Sequence, residues 1–281
     1  MVSRGIGFIL IATFAFAFMN VIAKELSNFH PLQVVFFRAT GTFLVIFPFM
    51  LKNKISILGT HKTMLLLRAV VGSLSLAAFF VVIQRIPLGS AISIRYLGPI
   101  FGAIMAYYFL KEKINMKQWI SFAIAFAGVI ILKGFDLRID YLSLALVLFS
   151  AVSVGAVFVL LRYLGNKEHY LTIINYFMVV SIIFSLFFIG QWRWPINYEW
   201  LPVIGIGAFG MIGQIFMTQA FQTEETSVLA PFKYMELVYA LIMGYLFFGE
   251  KYTFLPFLGI ILIILGMLLN VYAKKSNKVL Q

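Results

Sequence analysis

Residues 95–113 read RYLGPIFGAIMAYYFLKEK, and residues 233–251 read KYMELVYALIMGYLFFGEK. Laid over each other at an offset of 138, they pair Arg95 with Lys233, Tyr96 with Tyr234, Met105 with Met243, Tyr107 with Tyr245, Glu112 with Glu250 and Lys113 with Lys251. Beyond them Gly128 falls on Gly266. Two apolar stretches share Ile and Phe by chance, but a Tyr, a Glu-Lys pair and a Gly in one register mark a duplication. The chain is therefore expected to hold one unit twice, over 1–138 and 139–281.

Both segments are apolar for about twenty residues, and so is most of the chain around them. Of its 281 residues, 62% are apolar and 11% charged, whereas soluble domains carry about 25% charged residues. The composition excludes an ordinary soluble domain and requires a bilayer. Ten apolar blocks are legible, at 5–23, 32–51, 63–83, 89–110, 116–135, 142–161, 170–190, 200–220, 227–248 and 254–272. Their continuity excludes the alternating pattern of barrel strands, so the expected fold is all-α, an integral membrane protein with ten transmembrane helices. The first block, with Arg4 ahead of it, is too long for a cleaved leader and reads as the first helix. The chain has no cysteine, which excludes disulfides, thiolate nucleophiles and Cys-bound metal.

Each unit holds five helices. Five is odd, so the second unit enters the membrane from the opposite side and the two form inverted repeats. That arrangement puts a solute site near the midplane, between the repeats. The net charge of +12 is carried at span ends rather than in a soluble basic patch, which argues for orientation rather than nucleic-acid binding. With the N-terminus inside, twelve of the 22 Lys and Arg lie on the inner side, six lie outside, and Arg38, Arg68, Arg95 and Lys233 lie within spans. Both termini are then expected in the cytoplasm, in a plasma (inner) membrane, with Trp192, Trp194 and Trp200 at the outer interface.

The run from Ser90-Ala91 through Pro99 to Leu110-Lys111-Glu112-Lys113 with Gly128, and the run from Ser227 through Ala230-Pro231 to Gly249-Glu250-Lys251 with Gly266, resemble the two halves of the drug/metabolite transporter superfamily, EamA type. The resemblance covers essentially the whole chain, Arg38 included. It implies ten helices, cytoplasmic termini, a cavity lined by helices one to four and six to nine, and peripheral fifth and tenth helices. Residues 230–238, APFKYMELV, look like the ninth helix of the S-adenosylmethionine and riboflavin uptake branches, which more often carry Arg where this chain has Lys233. Lysine lacks the planar fork of arginine.

Ionisable groups inside spans are costly and face the bundle interior. Glu236 lies nine residues into the ninth block, about 14 Å deep, too far for its short side chain to reach an interface. It is a candidate for substrate binding and proton coupling; the alternative is a structural pair with Lys233 on the same helix face. Arg95 and Lys233 straddle the midplane at repeat-related positions and are candidate cavity cations, with snorkelling as the alternative. Tyr96 and Tyr234 beside them offer rings and hydroxyls, or interhelical packing. Arg38 joins the set, as do Gln214 and Thr218, one turn apart on a single face. Arg68, five residues past Thr63, is expected to snorkel. Glu112 and Glu250 are expected to serve the N-termini of the helices that follow them, and Pro87, Pro99 and Pro231 to kink or break helices.

The leading function is a secondary active transporter of a small polar or zwitterionic metabolite working by alternating access, proton-coupled or by exchange. A membrane-embedded lipid-modifying enzyme is the alternative from another class. It needs a metal cluster or an activated nucleophile, yet His30, His61 and His169 are scattered and the chain has no HExxH or nucleophile elbow. No Walker A sequence occurs, so ATP is not the expected drive. A passive channel is the third reading, disfavoured by the inverted repeat and the intramembrane Glu236. No cofactor and no metal are expected. The expected partners are a small-molecule substrate and the lipid bilayer, without nucleic acid, and the expected assembly is a monomer.

Overall fold

The computed structural model describes residues 4–110, 114–223 and 232–279. These fold into α1 (Arg4–Glu25), α2 (Pro31–Lys52), α3 (Lys62–Ile83), α4 (Leu88–Arg95), α5 (Gly98–Leu110), α6 (Met116–Phe135), α7 (Tyr141–Leu164), α8 (Tyr170–Leu186), α9 (Trp200–Thr223), α10 (Met235–Phe248) and α11 (Phe254–Val279), with no strand among the described residues. α4 and α5 together make one crossing, Leu88–Phe109. Seven further helices reach at least 20 residues, and the shorter apolar α8 and α10 complete ten crossings. Glu112, Lys113, Ser227, Ala230 and Pro231 lie outside the described residues, and with them the expected roles of Glu112 and Pro231.

Local chemistry sets the helix starts. Pro31 occupies the first turn of α2, where its missing N–H costs nothing. His30 caps that helix, its Nδ1 accepting from the Leu32 N–H at 3.3 Å, and His169 caps α8 in the same way, from Leu171 N–H at 3.2 Å. One cap thus appears in both halves, 139 residues apart, and the histidines that look scattered in the sequence are repeat partners. Asn115 and Gln118 form a capping box at α6, and Asp140 caps α7 through the Ser143 N–H at 2.9 Å.

The packing carries the duplication. α1 packs on α9 as α3 packs on α7, α1 on α10 as α7 on α5, and α2 on α9 as α8 on α3; α2 with α8, α4 with α10 and α6 with α11 are each self-related. This is the pattern of a pseudo-twofold axis relating α1, α2, α3, α4–α5 and α6 to α7, α8, α9, α10 and α11. The repeated glycines sit on that axis. A Cβ on Gly128 would meet Gly259 O at 2.7 Å and Ile263 N at 2.8 Å, and one on Gly266 would meet Ala125 N and Ser121 O at 2.6 Å. Only glycine lets the α6 and α11 backbones approach this closely, as small residues do between helices in lipid. α6 packs chiefly on α11, which leaves this pair at the edge of the bundle. Leu44, Phe109, Ile130 and Leu246 are exposed on the outside, a surface suited to acyl chains.

Below, the face at which α1 begins is the N-face. The α2–α3 and α7–α8 turns lie on it, and the α1–α2, α3–α4, α6–α7, α8–α9 and α10–α11 turns lie on the opposite face.

Candidate functional site

Two spans are broken at the residues with which the repeat was found. α4 ends at Arg95, Tyr96 follows with φ −67° and ψ −3°, and the chain resumes helix at Gly98. In the second half Tyr234 has φ −67° and ψ −12°, just ahead of α10. Pro99 accounts for the first break: it has no N–H to offer the Arg95 carbonyl four residues earlier. Its repeat partner is Leu237, so the second break has no proline at that position, and what packs there is the pair of tyrosines, whose rings meet edge to face at 5.4 Å.

Around these breaks lies a cavity whose empty space, open mouth included, is about 900 Å³. Its walls come from α1, α2, α3, α4–α5, α7, α8, α9 and the α10 segment, while α6 and α11 contribute nothing to it. It brings together Arg38, Arg95, Tyr96, Gln214, Lys233 and Glu236 of the sequence candidates. Thr218 is not on the wall. It is one turn from Gln214, but its hydroxyl donates to the Gln214 carbonyl at 2.8 Å, a bond within its own helix. Tyr234 is also off the wall, its ring buried against Tyr96.

Glu236 is 7% exposed and binds parts of both repeats. Asn20 Nδ2 of α1 donates to its Oε1 at 3.1 Å, and the Tyr96 hydroxyl donates to its Oε2 at 2.9 Å. The same hydroxyl lies 2.8 Å from the Lys233 carbonyl oxygen. One carboxylate and one tyrosine therefore join α1, α4 and α10.

Each cation of the cavity lies over an aromatic ring. Arg95 is 4.0 Å from the Phe79 centroid, Lys233 Nζ 4.3 Å from Phe158, Arg68 4.4 Å from Phe177 and Arg38 5.4 Å from Phe177. Arg38 also donates to Gln214 Oε1 at 3.4 Å and to the Met19 sulfur at 3.2 Å. Several donors remain unsatisfied among the described residues: Arg38 Nη1, Arg68 Nε and Nη1, Arg95 Nε and Gln214 Nε2. Arg68 departs from expectation. It is 3% exposed and lines the cavity instead of snorkelling, because Phe177 of α8 offers its guanidinium a ring inside the bundle.

Toward the opposite face Phe80, Ile83, Ile86 and Leu88 are fully buried, and Lys24 Nζ pairs with Glu250 Oε1 at 2.8 Å and donates to Ile86 O at 2.7 Å. Glu250 does not serve the helix after it. Gly249 ends α10 at φ 61°, in the left-handed region, and the turn sends Glu250 back to accept the Leu88 N–H at 2.8 Å, the first amide of α4. Elsewhere on this face Arg193 pairs with Glu199 at 2.7 Å, and its backbone exchanges hydrogen bonds with the Gln33 side chain. On the N-face, Glu168 of the α7–α8 turn accepts from Thr60 N at 2.7 Å, Thr60 Oγ1 at 2.6 Å and His61 N at 2.6 Å. Burial works against its charge, but these donors outweigh burial and hold the carboxyl at about 2.

Known proteins were compared with this chain. A model of the EamA-like transporter family matches residues 3–133 and 142–272. The pseudopaline exporter of Pseudomonas aeruginosa is 28% identical over 280 residues, covering 98% of this chain and 99% of that protein. Solute carrier family 35 member G1 of Mus musculus is 30% identical over 268 residues, 89% of this chain and 73% of its own length. An S-adenosylmethionine uptake transporter of Rickettsia conorii is 26% identical over 280 residues, 97% and 94% of the two chains. A solved crystal structure 15% identical in sequence superposes with a TM-score of 0.66 over 94% of this chain and 98% of that one, a likeness of fold.

Proposed function

On the premise that the chain belongs to the EamA-like transporter family, and so is a membrane transporter of a small solute and not an enzyme, we propose that it works by alternating access around the cavity at Tyr96 and Tyr234, as a single chain in the plasma membrane with both termini in the cytoplasm. The moving units are residues 1–138 and 139–281. The observation that carries this reading is the pair of repeat-related helix breaks bordering one cavity, since discontinuous helices expose backbone and polar groups at the midplane where a solute binds. Arg38, Arg95, Lys233 and Gln214 contact the solute, and the N-face, with its twelve of 22 basic residues, is cytoplasmic. The relatives' names include an exporter and an uptake transporter, so they give this chain no direction of transport.

Glu236 is the coupling group. As a carboxylate it holds Asn20 of α1 and Tyr96 of α4 by charge-assisted hydrogen bonds. A proton on it removes the charge, weakens both bonds, and frees α10 from the other repeat. Reconstituted protein should then take up its substrate faster under an inward proton gradient. Glu236→Gln should keep substrate exchange while losing that dependence; retention of the full gradient response by Glu236→Gln would reduce Glu236 to a structural tie.

A further inference from the structure

The charge of the cavity names the kind of solute. Arg38, Arg68, Arg95 and Lys233 line it, and Glu236 is the acid among its lining residues. Both Glu236 oxygens already accept hydrogen bonds, from Asn20 and Tyr96. Among the described residues, three arginines line the cavity with one carboxylate and leave an excess of positive charge inside a bilayer, where lipid supplies no counter-charge. We infer that the solute bound here is a compact organic anion carrying about two negative charges, a dicarboxylate or a phosphate ester; this rests on the reading of the cavity as the substrate site.

Arg38 and Arg68 both lie against the Phe177 ring, at 5.4 and 4.4 Å from its centroid, so their guanidinium carbons are within about 10 Å of each other. Both side chains are nearly inaccessible, at 2% and 3%, and both keep N–H groups without acceptors. Gln214 Nε2 adds another orphan donor beside them. A carboxylate or phosphate is acceptor-only and takes several such donors at once. Arg95 rests on Phe79, and its Nε is again unsatisfied. Phe16, Leu76 and Phe79 add apolar wall, which suits the hydrocarbon part of a small anion. A ring under each guanidinium compensates the charge only in part and satisfies none of the in-plane N–H groups, which are left for the solute.

Arg68 is the specificity-determining residue, because it brings a second guanidinium with unsatisfied N–H groups to the Phe177 ring beside Arg38, as a second negative charge requires. The test uses purified full-length protein, followed by thermal unfolding at constant ionic strength with succinate, glycerol 3-phosphate, lactate, alanine and putrescine. Succinate or glycerol 3-phosphate should raise the melting temperature at concentrations where lactate, alanine and putrescine do not, and which of the two acts separates a carboxylate solute from a phosphate one. Arg68→Gln should weaken the dianion's binding by roughly tenfold to a hundredfold, and Arg68→Lys by less. The solute-free melting temperature of Arg68→Gln should be unchanged or higher, because it removes an uncompensated buried cation; a purely structural arginine would lower it and leave the dianion response intact. The inference is overturned if lactate, alanine or putrescine stabilises as well as the dianions, if no dianion acts, or if Arg68→Gln keeps wild-type binding. Exchange of the same five solutes in proteoliposomes separates the two readings: exchange of alanine or putrescine without any dianion leaves the transporter standing and removes the anion inference, whereas dianion binding without exchange of any solute does the reverse.

Discussion

Arg68 lies six residues from the start of α3, and counting along the helix assigns it to the interface. Counting cannot see that Phe177, more than a hundred residues later, stands beside it. Glu236 was legible for the opposite reason: a short side chain deep in an apolar run has no interface to reach, whatever its neighbours are. Thr218 lies off the cavity wall because helical spacing gives the face but not the rotamer, and its hydroxyl turns back to its own backbone. Outside the membrane, Glu168 yields a prediction about pH. Its carboxyl is held at about 2 against an ordinary 4.5. A carboxyl lowered on folding stabilises the fold above its unfolded value and loses that contribution as pH falls toward the folded one. The melting temperature of the wild type should therefore fall between about pH 4.5 and 2, and Glu168→Gln, which should cost on the order of 1–3 kcal/mol at neutral pH, should flatten that part of the profile. An unchanged profile in Glu168→Gln would mean that the Thr60–His61 contact does not form.

At the scale of elements, the spans follow from hydrophobic length alone, and the structure departs from them mainly where one breaks. Pro99 signalled a break in the fourth crossing. The break at Tyr234 has Pro231 three residues ahead of it in the sequence, but that residue lies outside the described ones, and what the structure places at the break is the packing of Tyr234 on Tyr96. The sequence did not tell which helix Glu250 serves, because the amide it accepts, that of Leu88, lies 162 residues away. The glycines fared better: Gly128 and Gly266, paired in the repeat, are where α6 and α11 touch. Since neither helix lines the cavity, stability and binding should separate there. Gly128→Val drives a side chain into the Gly259 carbonyl and the Ile263 amide and should lower stability by about 1–3 kcal/mol, with the affinity for solute near wild type. A variant of normal stability that binds poorly would place α6 in the transport machinery.

For the molecule as a whole, the duplication is the fact from which the rest follows: an odd repeat, an inverted second half and a cavity lined by both halves. All of this was legible because the repeat is written in residues that packing cannot exchange freely. The state of the cavity was not legible, since closure is a property of contacts between halves, of which the Lys24–Glu250 pair is the clearest. The account requires the cavity to open to each face in turn. The absence of cysteine makes this directly measurable. Leu76→Cys places a thiol on the cavity wall without removing a hydrogen bond, and Tyr198→Cys, in the exposed α8–α9 loop, marks the outside. In sealed vesicles, a membrane-impermeant maleimide added from one side should label Tyr198→Cys only from outside. The same reagent should label Leu76→Cys from either side, with a transported solute that speeds labelling from one side slowing it from the other. Labelling of Leu76→Cys from a single side under every condition, or from both sides with no reciprocal change, would contradict alternating access.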